Sequence, residues 1–277
     1  RTQIFTILCF LLLPTTISHA QVFKHLNTNN GLSNRRTSKI IKDHIGYMWF
    51  MSNEGLDRYD GKKINHYSFT EEKGEYSYPL HLGWQYLNSK GELWVVGKKG
   101  RLFYYDRSSD RFRQAFKHHR APLQIDYSFI DWQDRIWQCT KDSILLYNSL
   151  NGQIHQAANP MRERIVAVEQ TNDNHYFLAT TDSISFFKWK DGKTTQISTN
   201  EINEIQTRFS TLFFDKNNEA LYIGTLGNGV MKYDLQNNRL IQLNNIFSDV
   251  SVTHIRQLDS NQLLIATEGR GLFVLNT

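Results

Sequence analysis

The chain has 277 residues, 40% hydrophobic and 13% aromatic, with a formal net charge of +5. This supplies ample material for a buried core and excludes a disordered or low-complexity protein. The positive excess sits in short groups such as Arg35-Arg36, Lys98-Lys99 and His118-His119-Arg120. Without a basic stripe and interleaved aromatics, no nucleic-acid contact by this domain is expected.

At the N-terminus, Ile4 to Leu13 is an apolar run too short to cross a bilayer. Pro14 and the small residues of Ser18-His19-Ala20 follow, and they fit a cleavage site before Gln21. Residues 1–20 therefore read as a signal peptide lacking its own start, and 21–277 as one exported, periplasmic domain. Cleavage leaves Cys139 as the single cysteine, so no internal disulfide is expected. Its place in an apolar run makes it a small buried hydrophobe.

A phrase then recurs six times. In the first copy a strand is predicted over Ser38–Lys42, a turn over Asp43–Gly46 and an apolar strand over Tyr47–Ser52. A third strand follows over Gly55–Tyr59, then Asp60-Gly61 as a two-residue hairpin signal, then a more polar strand over Ile64–Phe69. The anchors of the second strand are Trp49, Trp94, Trp137, Phe177, Tyr222 and Leu264, spaced 45, 43, 40, 45 and 42 residues apart. A period of 40–45 residues built from short strands predicts an all-β fold, a β-propeller with one four-stranded antiparallel blade per repeat. The sixth copy stops at Thr277 without a fourth strand, while Val22–Leu26 reads like a spare one. Either that strand completes the sixth blade, or the ring has a further blade.

The motif set is Gly31-Leu32-Ser33, then Asp43-x-x-Gly46-x-x-Trp49, then Gly55-Leu56-x-Arg58-Tyr59-Asp60-Gly61. It resembles the two-component regulator propeller repeat, with copies two and five good matches and the others drifted. The resemblance implies the periplasmic sensor region of a hybrid two-component system of the Bacteroidetes type. There, two seven-bladed propellers and an immunoglobulin-like domain precede a membrane helix, a histidine kinase, a receiver and a DNA-binding module. The implied ligands are glycan fragments, and the implied output is transcription of polysaccharide-use genes. This chain would be an N-terminal fragment, most of one seven-bladed ring. Its expected partners are an oligosaccharide, the second propeller and immunoglobulin-like domain of the parent chain, and a second copy in a homodimer.

No catalytic motif is present, and no catalytic residue, metal site or cofactor is assigned. Asp43 and Asp131 open the turns between first and second strands, where an Asp side chain caps its own backbone. His118-His119 falls on a loop, Trp132 in a turn, and the Trp anchors in the core. Trp84 lies near the ring axis and is a candidate for ligand contact. Strand alternation gathers the turns between second and third strands on one rim with the connections between blades. That rim carries the variable segments and is where binding is expected. The candidate ligand residues there are Glu54, Lys98, Asp142, Asp182, Asn228 and Arg270, with Trp84 as a stacking face. The basic balance favours a uronic or sulfated glycan. The rival readings are a propeller glycosidase or polysaccharide lyase, and a structural dimerisation propeller.

Overall fold

The computed structural model describes residues 25–277 apart from 74–75, 80–81, 98, 117–123, 173, 191–192, 198–201, 203–205 and 244–248. The signal peptide, Val22–Lys24 of the spare strand, Lys98, His118-His119 and the Asp191-Gly192 turn lie outside the described residues. His25 and Leu26 form no strand.

The first blade is β1 (Lys39–Lys42), β2 (Met48–Ser52), β3 (Gly55–Tyr59) and β4 (Ile64–Tyr67). A hairpin, β5 (Thr70–Lys73) and β6 (Tyr76–Pro79), occupies the segment expected as a plain connection. The second blade is β7 (Leu82–Leu87), β8 (Leu93–Gly97), β9 (Leu102–Asp106) and β10 (Arg111–Ala115). The third is β11 (Tyr127–Ile130), β12 (Arg135–Cys139), β13 (Ser143–Asn148) and β14 (Ile154–Ala158). The fourth is β15 (Ala167–Asn172), β16 (His175–Ala179), β17 (Ile184–Lys190) and β18 (Lys193–Ile197). The fifth is β19 (Phe209–Asp215), β20 (Ala220–Thr225), β21 (Val230–Asp234) and β22 (Arg239–Gln242). Three strands make the sixth: β23 (Val252–Asp259), β24 (Gln262–Thr267) and β25 (Gly271–Asn276). All pairings within blades are antiparallel and sequential, as the repeat predicts.

The second strands are nearly continuous apolar runs because both their faces are covered. Trp49, Trp94, Trp137, Phe177 and Tyr222 are all buried, and Cys139 beside them is a buried free thiol. Each core joins two neighbouring blades. Trp49, Met51 and Leu56 pack with Leu82, Val95 and Tyr105; Trp137 and Leu146 pack with Tyr176, Phe187 and Trp189. Similar clusters join blades two and three, four and five, and five and six. Among the described residues no such cluster joins blade six back to blade one. Accordingly Ile40 on β1, and Leu272 and Val274 on β25, are 58%, 66% and 51% exposed.

The aspartates of the turns do more than cap. Asp43 Oδ1 accepts the backbone N–H groups of Ile45, Gly46 and Tyr47, each at 3.0 Å. Its Oδ2 accepts the Trp49 indole N–H at 3.0 Å and Arg107 Nη2 of the next blade at 3.1 Å. Burial would raise this carboxyl, but the bonds from Trp49, Arg107 and Tyr47 hold it below the ordinary carboxylate range. The six-residue spacing from Asp to Trp is thus a physical unit: one oxygen shapes the turn, the other fixes the core indole. Asp60-Gly61 differs from the expected two-residue hairpin. Tyr59 pairs with Ile64, so four residues connect the strands, and Asp60 Oδ1 accepts the N–H groups of Lys62 and Lys63.

Candidate functional site

The inner strand of every blade contributes to one axial cavity of about 410 Å3. Its wall includes Lys39 of β1, Trp84 and Tyr86 of β7, Tyr127 and Phe129 of β11, Val168 and Glu169 of β15, Thr211 of β19, and His254 and Arg256 of β23. Strand register explains this set. The cross-strand partners of the six anchors are Ile41, Tyr86, Phe129, Glu169, Phe213 and Arg256. Two residues earlier on each strand stand Lys39, Trp84, Tyr127, Ala167, Thr211 and His254. Most of these positions are apolar or aromatic, which suits a channel wall that holds the ring together. Four break the rule with ionisable side chains: Lys39, Glu169, His254 and Arg256.

Lys39, Glu169 and His254 are each perturbed by burial and by the Arg256 charge. Burial lowers the Lys39 ammonium, and the Arg256 charge lowers it further. His254 is lowered by burial and then by Lys39 and Arg256. Burial pushes the Glu169 carboxyl up to about 7, even though the Phe214 N–H bonds it at 3.2 Å and Arg256 pulls the other way. Burial thus favours the neutral form of Lys39, His254 and Glu169 alike, and the Glu169 carboxyl changes charge near neutral pH. Tyr127 is pushed up to about 12 by burial and by the Glu169 charge. Arg256 Nη1 reaches only the carbonyl of Ile255 at 3.0 Å, and among the described residues it has no ion pair. Lys39 and Arg256 thus share the cavity wall with one carboxyl, Glu169, which burial holds partly in its neutral form.

Sequence reasoning placed Trp84 at the axis, and it lines this channel. It missed Lys39, Glu169, His254 and Arg256. The other predicted ligand residues occupy the turns between second and third strands and do not line the cavity. Glu54, Asp142, Asp182, Asn228 and Arg270 are exposed. The Asp142 carbonyl accepts the Asn159 N–H at 2.9 Å, and Asn228 Nδ2 donates to Thr207 Oγ1 at 2.9 Å, so both also tie neighbouring loops together. Lys98 lies outside the described residues. Trp132 is exposed in its turn as predicted, with Lys216 Nζ 5.0 Å from its ring. Among the described residues no three His, Cys, Asp or Glu side chains are grouped to hold a metal ion. No described helix is long and apolar enough to cross a membrane.

No family model matches the chain, and no curated protein matches it. Solved structures do. The extracellular domain of BT3049 from B. thetaiotaomicron, described as a hybrid two-component system, superposes with a TM-score of 0.71 at 19% identity. The match covers 91% of this chain and 35% of that one. The extracellular domain of BT4673 from the same organism gives 0.67 and 19%, over 87% of this chain and 32% of that one. The chain therefore spans about a third of the length of these structures. A catalytically inactive histidine-to-alanine variant of virginiamycin B lyase from Staphylococcus aureus, with quinupristin, gives 0.68 at 14% identity, over 89% of this chain and 83% of that one. At these identities the likeness establishes the β-propeller fold. Its neighbours include extracellular domains of two-component systems and an enzyme, so the fold alone leaves the function to the site.

Proposed function

We propose that the chain is a periplasmic ligand-sensing propeller of a hybrid two-component system, detecting glycan fragments to control polysaccharide-use genes. The observation that carries this reading is a rigid six-bladed frame around a polar axial cavity with an aromatic wall, in a chain whose fold matches such extracellular domains over nine-tenths of its length. The partners on this reading are an oligosaccharide, the second propeller and immunoglobulin-like domain of a parent chain that also carries a histidine kinase, and a second copy. On this reading the ligand-binding residues are Glu54, Lys98, Asp142, Asp182, Asn228 and Arg270, with Trp84 as the stacking face. Calorimetric titration of oligosaccharides into the complete periplasmic region tests it, with Lys98→Ala and Arg270→Ala beside the wild type. Weakened binding in both variants, with affinity falling as salt rises, is the expected result. Undiminished affinity in both would remove the rim from the site and favour a role in assembly.

One observation favours an enzyme as the second reading. Glu169, titrating about 7, and His254 line the same cavity, and a carboxyl in that range suits general acid–base work. Virginiamycin B lyase shows that a similar propeller can be catalytic. On the sensor reading, incubation of the pure chain with plant, host and microbial polysaccharides releases no new reducing ends and no unsaturated products. Reproducible cleavage abolished in Glu169→Gln would replace the sensor with a lyase or glycosidase.

A further inference from the structure

We propose that the axial channel is itself a binding site for an anionic group, a carboxylate or sulfate carried on a sugar, gripped between Lys39 and Arg256 with Trp84 as the flanking aromatic face. This rests on the sensor reading for the biological ligand, but the anion site stands on the geometry of the channel alone. Four observations lead to it.

Lys39 and Arg256 come from the first and last blades, so the topology brings together two cations that are far apart in sequence. Neither has an ion pair among the described residues, and each depresses the basicity of its neighbours. Repulsion of this kind in a partly buried cavity, which ionised Glu169 near Arg256 offsets in part, is relieved further by a bound anion. The strands on either side, β7 and β19, are neutral and hydrogen-bonding. The Tyr86 hydroxyl of β7 is buried, and β19 offers Thr211 and Ser210, although Ser210 Oγ is engaged with the Val252 carbonyl at 2.6 Å. Finally, a cavity of about 410 Å3 admits one or two sugar rings rather than a long chain, which points to the end of a saccharide.

Binding is linked to protons. Facing Glu169 are Lys39 of β1, Tyr86 of β7, Tyr127 of β11, and His254 and Arg256 of β23; β19 presents no charged group in the wall. Ionised Glu169 repels the ligand, and protonated Glu169 does not. Its carboxyl sits at about 7, so affinity falls as pH rises through that value. Protonation of His254, lowered below its ordinary value, strengthens binding further at acid pH, so both groups act with the same sign.

The test is titration of the purified chain with sodium sulfate, glucuronate, glucose and an oligosaccharide ending in glucuronate, at pH 6 and pH 8. Sulfate and glucuronate are expected to bind and glucose is not, with affinity for both anions about tenfold weaker at pH 8. In Glu169→Gln the anions bind with that pH dependence flattened above neutrality. Arg256→Ala and Lys39→Ala lose about ten- to a hundredfold, with circular dichroism confirming the fold. Tighter binding of the oligosaccharide than of free glucuronate identifies a saccharide end as the source; equal binding identifies a free small anion and counts against the glycan sensor while keeping the anion site. Absence of anion binding, or an unchanged pH profile in Glu169→Gln, overturns the proposal without touching the rim test above.

Discussion

Asp131→Ala is expected to destabilise the ring by about 3–5 kcal/mol, because it strips a buried carboxylate from under a paired cation. For a chain of this size that is a fall of roughly 10 °C in Tm. The Asp131 side chain is fully buried. Its Oδ1 accepts the N–H groups of Gln133 at 3.0 Å and Arg135 at 2.9 Å. Its Oδ2 accepts Arg135 Nε and the Trp137 indole N–H, both at 2.7 Å, and the Tyr176 hydroxyl at 3.3 Å. Alanine takes this acceptor from all these donors, among them the buried Trp137 indole N–H. Asn is no remedy, since its amide nitrogen would point donor at donor. The second blade shows the effect: Asn88 stands at the equivalent turn, and among the described residues the buried Trp94 indole N–H has no hydrogen-bond partner. Differential scanning calorimetry of Asp131→Ala and Asp131→Asn checks this. A Tm within 2 °C or so of wild type in both would mean that the turn aspartate is a surface cap and no more.

That unit was half legible in the sequence. The interval between anchors and the Asp-x-x-Gly spacing specify a turn, a buried strand and a blade, because strand length and pleat leave little freedom once one residue is buried. The second use of the carboxylate, on the indole six residues later, needs the strand to be folded before it appears. The Gly31-Leu32-Ser33 motif is similar. It looks like a simple loop, yet the Ser33 N–H and hydroxyl both donate to Asp57 Oδ2, at 2.8 and 2.9 Å, pinning the chain's entry to the first blade. The channel was less visible. Glu169 and Arg256 occupy a register position that is Ile41, Tyr86, Phe129 or Phe213 in the other blades, so a signal existed. It lay in the first strand of each repeat, where drift is greatest and no aromatic anchor fixes the register. Arg270 and its companions in the turns were easier to pick out because those turns are obvious from glycine and charge, but exposure on a rim does not bring residues together as six strands around one axis do.

Gly55→Ala is the other substitution expected to cost several kcal/mol, and it separates two kinds of glycine in the repeat. Gly55 begins β3 and pairs with Ser52 across the tight turn of Asn53-Glu54. Its φ is +134°, a conformation that side-chain-bearing residues rarely adopt. A Cβ there would also sit 2.2 Å from the carbonyl oxygen of Tyr67 and 3.2 Å from its carbonyl carbon. Those are backbone atoms at the end of β4, so they cannot swing aside as a flexible side chain could. Backbone strain costs about 1–3 kcal/mol, and overpacking about as much again, for a total of the order of 4 kcal/mol. Gly61 provides the comparison. Its φ is +98°, but a Cβ would meet nothing within 4 Å, so Gly61→Ala carries the strain alone. Urea denaturation of the two variants should therefore place Gly55→Ala well below Gly61→Ala, with wild type above both. The loss in Gly55→Ala should reach β4, since relieving the clash means moving Tyr67 and the neighbouring His66, whose Nδ1 lies 2.8 Å from Asp57 Oδ1. Faster amide exchange along β3 and β4, with the third blade unchanged, is the accompanying signature. Equal midpoints for the two variants would show that β4 yields freely at this turn, and that the first blade is held by its aspartate and tryptophan rather than by the close approach of its third and fourth strands.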